Sequence, residues 1–140
     1  MDPLVQLEEA SFQVDRISRR SFLRWIKLNN SILRVLIIDN CLVGYGLALL
    51  NLGTRLARLY SLAVNHSFKG QGYGRILLED LEKQAMLEER LFMRLEVSTK
   101  NRSAIQLYQK AGYRVFDECI DYYEDHTDAL RMQKEIRFPE

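Results

Sequence analysis

A chain of 140 residues, 47% hydrophobic and 28% charged, has the composition of one soluble globular domain able to bury a core without metals or disulfides. Twenty Lys and Arg against nineteen Asp and Glu leave a net charge of +1, which excludes a global field favouring nucleic acid or an anionic membrane. No apolar run approaches the roughly 18 residues of a membrane span, and MDPLVQLEEA lacks the basic and apolar regions of a secretory leader, so a single cytoplasmic domain over residues 1–140 is expected.

Between Leu4 and Leu28 the apolar residues Leu7, Ala10, Phe12, Val14, Ile17, Phe22, Trp25 and Ile26 fall mostly at helical spacing. The register slips near Val14 to Ser18, which predicts two short helices; Leu4-Val5 can instead form a very short first strand. Leu33 to Ile38 is rich in β-branched residues and is followed by Asp39-Asn40 and then Cys41 to Leu50, a hairpin signal with Asn able to take positive φ. Asn51 to Thr54 is a second turn, leading into a third strand, Arg55 to Val64. Cys41 and Cys119 sit in apolar strand contexts with no C-x-x-C or His partner, which predicts buried structural thiols.

The third strand runs into Lys69-Gly70-Gln71-Gly72-Tyr73-Gly74-Arg75, and an amphipathic helix begins by Ile76-Leu77-Leu78. Residues without a Cβ let backbone N–H groups converge and a bulky anion approach, while the first helical turn adds unpaired donors and a positive dipole end. Lys69 and Arg75 flank the loop and add charge-assisted contacts to a pyrophosphate. The loop holds a G-x-G but neither a full G-x-G-x-x-G nor a G-x-x-x-x-G-K-[ST], so taken alone it leaves a plain strand-to-helix turn with glycines for packing as the lesser alternative.

Leu77, Leu78, Leu81 and Ala85 form the apolar stripe of that helix, with Glu79, Asp80, Glu82 and Lys83 expected to face outward. In the following strand Leu91, Met93, Leu95 and Val97 take one face; Phe92, Arg94 and Glu96 take the other. Asn101 is a candidate N-cap for a helix with apolar positions Ala104, Ile105, Leu107, Tyr108 and Ala111, stopped by Gly112. Tyr113 to Ile120 reads as strand, Glu124 to Asp128 as turn and Ala129 to Ile136 as a last strand. The order predicts an α+β, or mixed α/β, domain.

Four stretches coincide in order: LYSLAV, the Lys69 to Arg75 loop, Leu95-Glu96-Val97, and Asn101 to Tyr113 (NRSAIQLYQKAGY). Together they resemble the GNAT family of acetyl-CoA-dependent N-acetyltransferases, whose Q/R-x-x-G-x-G/A loop is matched with Lys69 in the basic position. Asp121-Tyr122-Tyr123 through Met132 is similar to the RimI-like branch, which acetylates ribosomal-protein alanine termini. The likeness covers about Ile32 to Ile136. It implies a central, mostly antiparallel sheet flanked by helices, with the family's fourth and fifth strands splayed and its first strand short or missing here.

The resemblance further implies acetyl-CoA as cofactor. It places the pyrophosphate on Lys69, Gly70, Gln71, Gly72, Tyr73, Gly74 and Arg75, and the pantetheine along Leu62, Ala63 and Val64 and against Asn101 and Tyr108. The Val64 N–H is the position at which to look for an oxyanion donor. Glu96 matches the base and Tyr108, twelve positions on, the acid; the same residues read without the family are a strand residue paired with Arg94 or a neighbouring strand, and a packing tyrosine. Tyr122 and Tyr123 line the acceptor groove or lie half in the core. His66 and His126 have no ligand spacing between them, so no metal is expected.

Making an amine neutral at pH 7 costs roughly 4.6 kcal/mol for lysine but roughly 1 kcal/mol for an α-amine, so the latter needs only a modest base. The expected partner is therefore an amine acceptor, first a protein or peptide N-terminus; a small-molecule amine or amino sugar is the alternative, and a non-catalytic acyl-CoA-binding module a further one. No nucleic acid or membrane partner is expected, and the chain is read as a monomer or homodimer.

Overall fold

The computed structural model describes residues 30–136; the two amino-terminal helices and the Leu4-Val5 strand expected from the sequence lie outside the described residues. Within them the order is β1 (Ser31–Ile38), β2 (Cys41–Leu50), β3 (Leu56–Val64), a 3-10 turn (His66–Phe68), α1 (Tyr73–Leu87), β4 (Phe92–Ser98), α2 (Arg102–Lys110), β5 (Arg114–Cys119) and β6 (Ala129–Glu135). The strands form one sheet ordered β1-β2-β3-β4-β6-β5. Every pairing is antiparallel except that of β3 with β4. This is the mixed α+β architecture that the pattern predicts.

The hairpin turn forms where expected. Asp39 and Asn40 take φ of 50° and 65°, which both central residues of a primed two-residue turn require, and Ile38 pairs with Cys41 across it. On α1 the stripe Leu77, Leu78, Leu81 and Ala85 is buried against Ala48, Leu50, Leu59, Leu62 and the core face of β4, Met93, Leu95 and Val97. Burying each leucine contributes roughly 2 kcal/mol. The helix lies almost on the backbone of β2: a Cβ on Gly46 would stand 2.5 Å from Leu81 Cδ1, and one on Gly44 3.0 Å from Leu77 Cδ1. Those two glycines therefore set the depth at which α1 rests.

Two expectations from the sequence are corrected here. Glu82 does not face outward; its side chain is buried, and its carboxylate accepts from Tyr113 Oη and from Lys134 Nζ, each at 2.8 Å. A partner supplied by a distant strand overrode the helical wheel. Burial and Glu82 together hold the Tyr113 phenol well above its usual range. The cysteines are not buried either, because Cys41 is exposed directly after the hairpin turn and Cys119 is half-exposed at the end of edge strand β5.

Candidate active site

β3 and β4 pair through only three positions, Leu56 with Phe92, Ala57 with Met93 and Arg58 with Arg94. Beyond them the strands part, although β3 stays paired with β2 as far as Val64 and β4 with β6 as far as Ser98. In this antiparallel register the Asn65 N–H donates to the Val43 carbonyl at 2.6 Å, so alternation turns the backbone of Ala63 toward β2 and that of Leu62 and Val64 toward the gap. The predicted splaying of adjacent strands is present between β3 and β4.

A cavity of about 360 Å³ lies beside the parted end of β3. It brings together Leu62, Ala63 and Val64 from β3, Lys69, Gly70, Gly72, Tyr73, Gly74 and Arg75 from the loop, and Asn101 and Tyr108 from α2 and its cap. Of the residues assigned to the donor from the sequence, Gln71 is not on its wall. Phe68, Ser103, Ala104 and Leu107 also line it and were not singled out by sequence, although the last three share the helical face that carries Tyr108.

Gly70 and Gly72 take φ of 81° and 84°, a region that costs other residues roughly 1–2 kcal/mol, and a Cβ at either would meet nothing within 4 Å. The space beside the main chain is thus open. Gly72 is also the N-cap of α1 and contributes no side-chain cap, so the first N–H groups of α1 are not closed off by it. Helix α1 begins at Tyr73, inside the glycine loop and earlier than the apolar stripe suggests. Arg75 forms an exposed pair with Glu79 at 2.8 Å, one turn along the helix.

At the other end, Asn101 Oδ1 accepts from the Ala104 N–H and from Ser103 Oγ, both at 3.2 Å, the N-cap role that its position predicts. Tyr108 is buried on α2, its ring 5.8 Å edge-to-face from Tyr113. Gly112, at φ 101°, ends the segment, and the Tyr113 N–H returns to the Tyr108 carbonyl at 2.9 Å.

Glu96 does not line this cavity. It stands on the opposite face of β4 from Leu95 and Val97, and its side chain is only 7% exposed. Arg58 grips both carboxylate oxygens, Nε to Oε2 at 3.1 Å and Nη2 to Oε1 at 3.0 Å, while Arg131 Nη2 lies 3.6 Å from Oε1. Arg94 turns away to Gln133 Oε1, so the neighbouring-strand pairing holds and the Arg94 alternative does not. Burial works against the charge on Arg58, yet Glu96 and Tyr122 outweigh it and raise that guanidinium above its ordinary value. Tyr122 Oη accepts from Arg58 Nη2 at 3.3 Å.

Tyr122 and Tyr123 are not strand residues; they follow Asp121, at φ 56°, in the loop between β5 and β6, with their rings edge-to-face at 4.9 Å. Tyr122 is 44% exposed beside Arg58, whereas Tyr123 is buried. No group of three or more His, Cys, Asp or Glu among the described residues could hold a metal ion, and no helix there is long and apolar enough to cross a membrane.

The model of the acetyltransferase (GNAT) family matches residues 1–113. The chain belongs to that family. A relative from Methanocaldococcus jannaschii, an uncharacterized N-acetyltransferase, is 36% identical over 98 residues, covering 69% of this chain and 62% of that one. The ribosomal protein bS18 alanine N-acetyltransferase of Salmonella typhimurium is 34% identical over 79 residues, 54% of this chain and 53% of its own length. The matched part thus spans somewhat more than half of either relative. Among solved structures, the ribosomal-protein-S18-alanine N-acetyltransferase of Escherichia coli shares the fold with a TM-score of 0.85 at 24% identity, covering 97% of this chain and 87% of that one. Acetyl-CoA is the acetyl donor of the GNAT family. The parted strands, the open glycine cradle and the flanking Lys69 and Arg75 fit a thioester ligand whose long arm leads to a pyrophosphate.

Proposed function

We propose that this chain is an N-acetyltransferase that moves an acetyl group from acetyl-CoA directly to an amine, and that the amine is the N-terminal α-amine of a protein or peptide. The observation that carries the proposal is the single cavity walled by the parted end of β3, the glycine cradle and the face of α2 that bears Asn101 and Tyr108. The backbone N–H groups of the Lys69 to Arg75 loop, with the two cations, hold the pyrophosphate. Leu62 and Val64 offer main-chain groups to the pantetheine amides as an added strand does, and Asn101, whose Oδ1 serves the cap, turns its amide nitrogen to the same arm.

When bound, acetyl-CoA supplies the thioester carbon that the amine attacks; the new C–N bond forms as the C–S bond breaks. Tyr108 donates a hydrogen bond to the departing sulfur, and the proton leaving nitrogen passes through water to Glu96. Glu96 is committed to a guanidinium fork, which suits an acceptor that needs little help from a base. The roughly 1 kcal/mol needed to neutralise an α-amine at pH 7 fits that arrangement better than the roughly 4.6 kcal/mol of a lysine side chain. The likeness to the bS18 alanine N-acetyltransferase supports the same choice.

Thiol release from acetyl-CoA decides the matter when followed with peptides beginning in Ala, Ser or Met, with lysine peptides blocked at the terminus, and with polyamines and amino sugars. Peptides with free α-amines are expected to accelerate release. If no amine does so while CoA still binds, the enzyme reading falls; if only the small amines do, the acceptor assignment falls.

A further inference from the structure

Tyr108 lies near the end of α2 and Tyr113 just past it, yet the chain folds back so that their side chains touch. Gly112, at φ 101°, turns the main chain, and the Tyr113 N–H donates to the Tyr108 carbonyl at 2.9 Å. The two buried rings then meet edge-to-face, their centroids 5.8 Å apart and their planes at 63°. Tyr108 is on the wall of the cavity and Tyr113 stands behind it. Two other elements fix the Tyr113 ring from its far side. Its hydroxyl donates to Glu82 Oε2 at 2.8 Å, Glu82 Oε1 accepts from Lys134 Nζ at 2.8 Å, and that ammonium lies 5.8 Å from the centroid of the same ring. Glu82 comes from α1, the helix that begins in the glycine loop, and Lys134 comes from β6. A tyrosine in a helix has two staggered χ1 wells open to it, and its hydroxyl ends in a different place in each. An acid that must reach one sulfur atom needs one of the two, and an immobilised ring packed against it decides which.

We infer that Tyr113 is a positioning residue whose ring holds the Tyr108 side chain in the orientation from which its hydroxyl reaches the departing sulfur. The inference rests on the reading of Tyr108 as the acid in acetyl transfer. Tyr113 acts through Tyr108 and not on either substrate, so its removal should be felt in the rate and only where the Tyr108 hydroxyl is present.

The test is a double-mutant cycle on kcat, run with the acceptor that the amine panel selects, with CoA Kd measured by calorimetry. Tyr113→Leu removes the ring and is expected to lower kcat about tenfold or more, since a small misplacement of a reacting group costs up to about 10²-fold, while CoA Kd stays within about a factor of two. Tyr113→Phe, which keeps the ring, recovers kcat to within about a factor of two. In a Tyr108→Phe background Tyr113→Leu lowers kcat no further, because no hydroxyl is left to place. Wild-type kcat in Tyr113→Leu, losses that add across the cycle, or a loss carried by CoA Kd overturns the inference and leaves acetyl transfer standing. Tyr113→Met, with a flexible side chain that adapts to the space, takes the place of Tyr113→Leu if that variant does not fold. On the wild type itself, side-chain couplings measured by NMR are expected to show one χ1 rotamer for Tyr108, and averaging between rotamers overturns the inference without any variant. If Tyr108→Phe keeps the wild-type kcat, the acid assignment falls and the inference with it; if no amine turns over, acetyl transfer itself falls.

Discussion

Around the glycine loop the working polar groups belong to the main chain, set by φ of 81° and 84° at Gly70 and Gly72 and by the open start of α1. Around Glu96 they belong to long side chains that meet across three strands, Arg58 from β3, Glu96 from β4 and Arg131 from β6. A main-chain site is rigid and indifferent to what the distal ligand carries, which suits a donor that never changes. A site made of side chains can be rewritten by single substitutions, which suits an acceptor that differs from one enzyme to the next. Perturbing one region should therefore leave the ligand of the other unaffected.

Tyr108→Phe carries the largest expected effect. A positioned acid contributes about 10²-fold or more, so kcat should fall by that order while CoA affinity, measured by calorimetry, stays within about a factor of two. Affinity falling in step with rate would make Tyr108 a wall residue of the donor slot and nothing else. Gly72→Val comes next, since a β-branched residue at that φ is strained by about 1–3 kcal/mol. CoA Kd should rise about tenfold or more with the acceptor KM unmoved, and a shift in acceptor KM would show that the regions are coupled.

Glu96→Gln sharpens the other side. Turnover of an α-amine peptide should drop about tenfold near pH 7 and less near pH 9, where the amine is already neutral without a base. A loss independent of pH would reassign Glu96 to holding Arg58 in place. Tyr113→Phe belongs to neither region and should affect stability alone, by about 1–2 kcal/mol at pH 7 for a hydrogen bond to a carboxylate. The folded state raises the Tyr113 phenol well above 10, so the stability from its neutral form is complete below about pH 10 and is lost as pH climbs through the folded value. In urea denaturation, wild type and variant should therefore converge above pH 10, and a gap that widens there would contradict the assignment.

Local chemistry made the glycine loop and its surroundings readable. Asp39-Asn40, the glycine loop, the Asn101 cap and the Gly112 stop are each decided by what a few adjacent residues can do with their own backbone, and the chain folds there as they require. Glu82 was misread because its partners Tyr113 and Lys134 come from distant parts of the chain, and a helical wheel contains neither. The Arg58 clamp on Glu96 was hidden for the same reason: it exists only once β3 lies beside β4 in a parallel register of three residue pairs. Gly44 and Gly46 carry no signature in sequence beyond being glycines in a strand, because what they make room for, α1, follows the next strand and the whole loop.

That short parallel contact has a mechanical consequence. The sheet consists of two three-stranded leaves, β1-β2-β3 and β4-β6-β5, hinged at Leu56 to Arg58, with a slit running up from the hinge. A ligand laid along Leu62 and Val64 is then a keystone, closing the slit that the fold leaves along its middle. Donor at one hundred times its Kd adds about 2.7 kcal/mol to folding, and that gain belongs where the leaves come apart. Amide hydrogen exchange should register it as slowing on both banks of the slit, and far less on the outer strands β1 and β5.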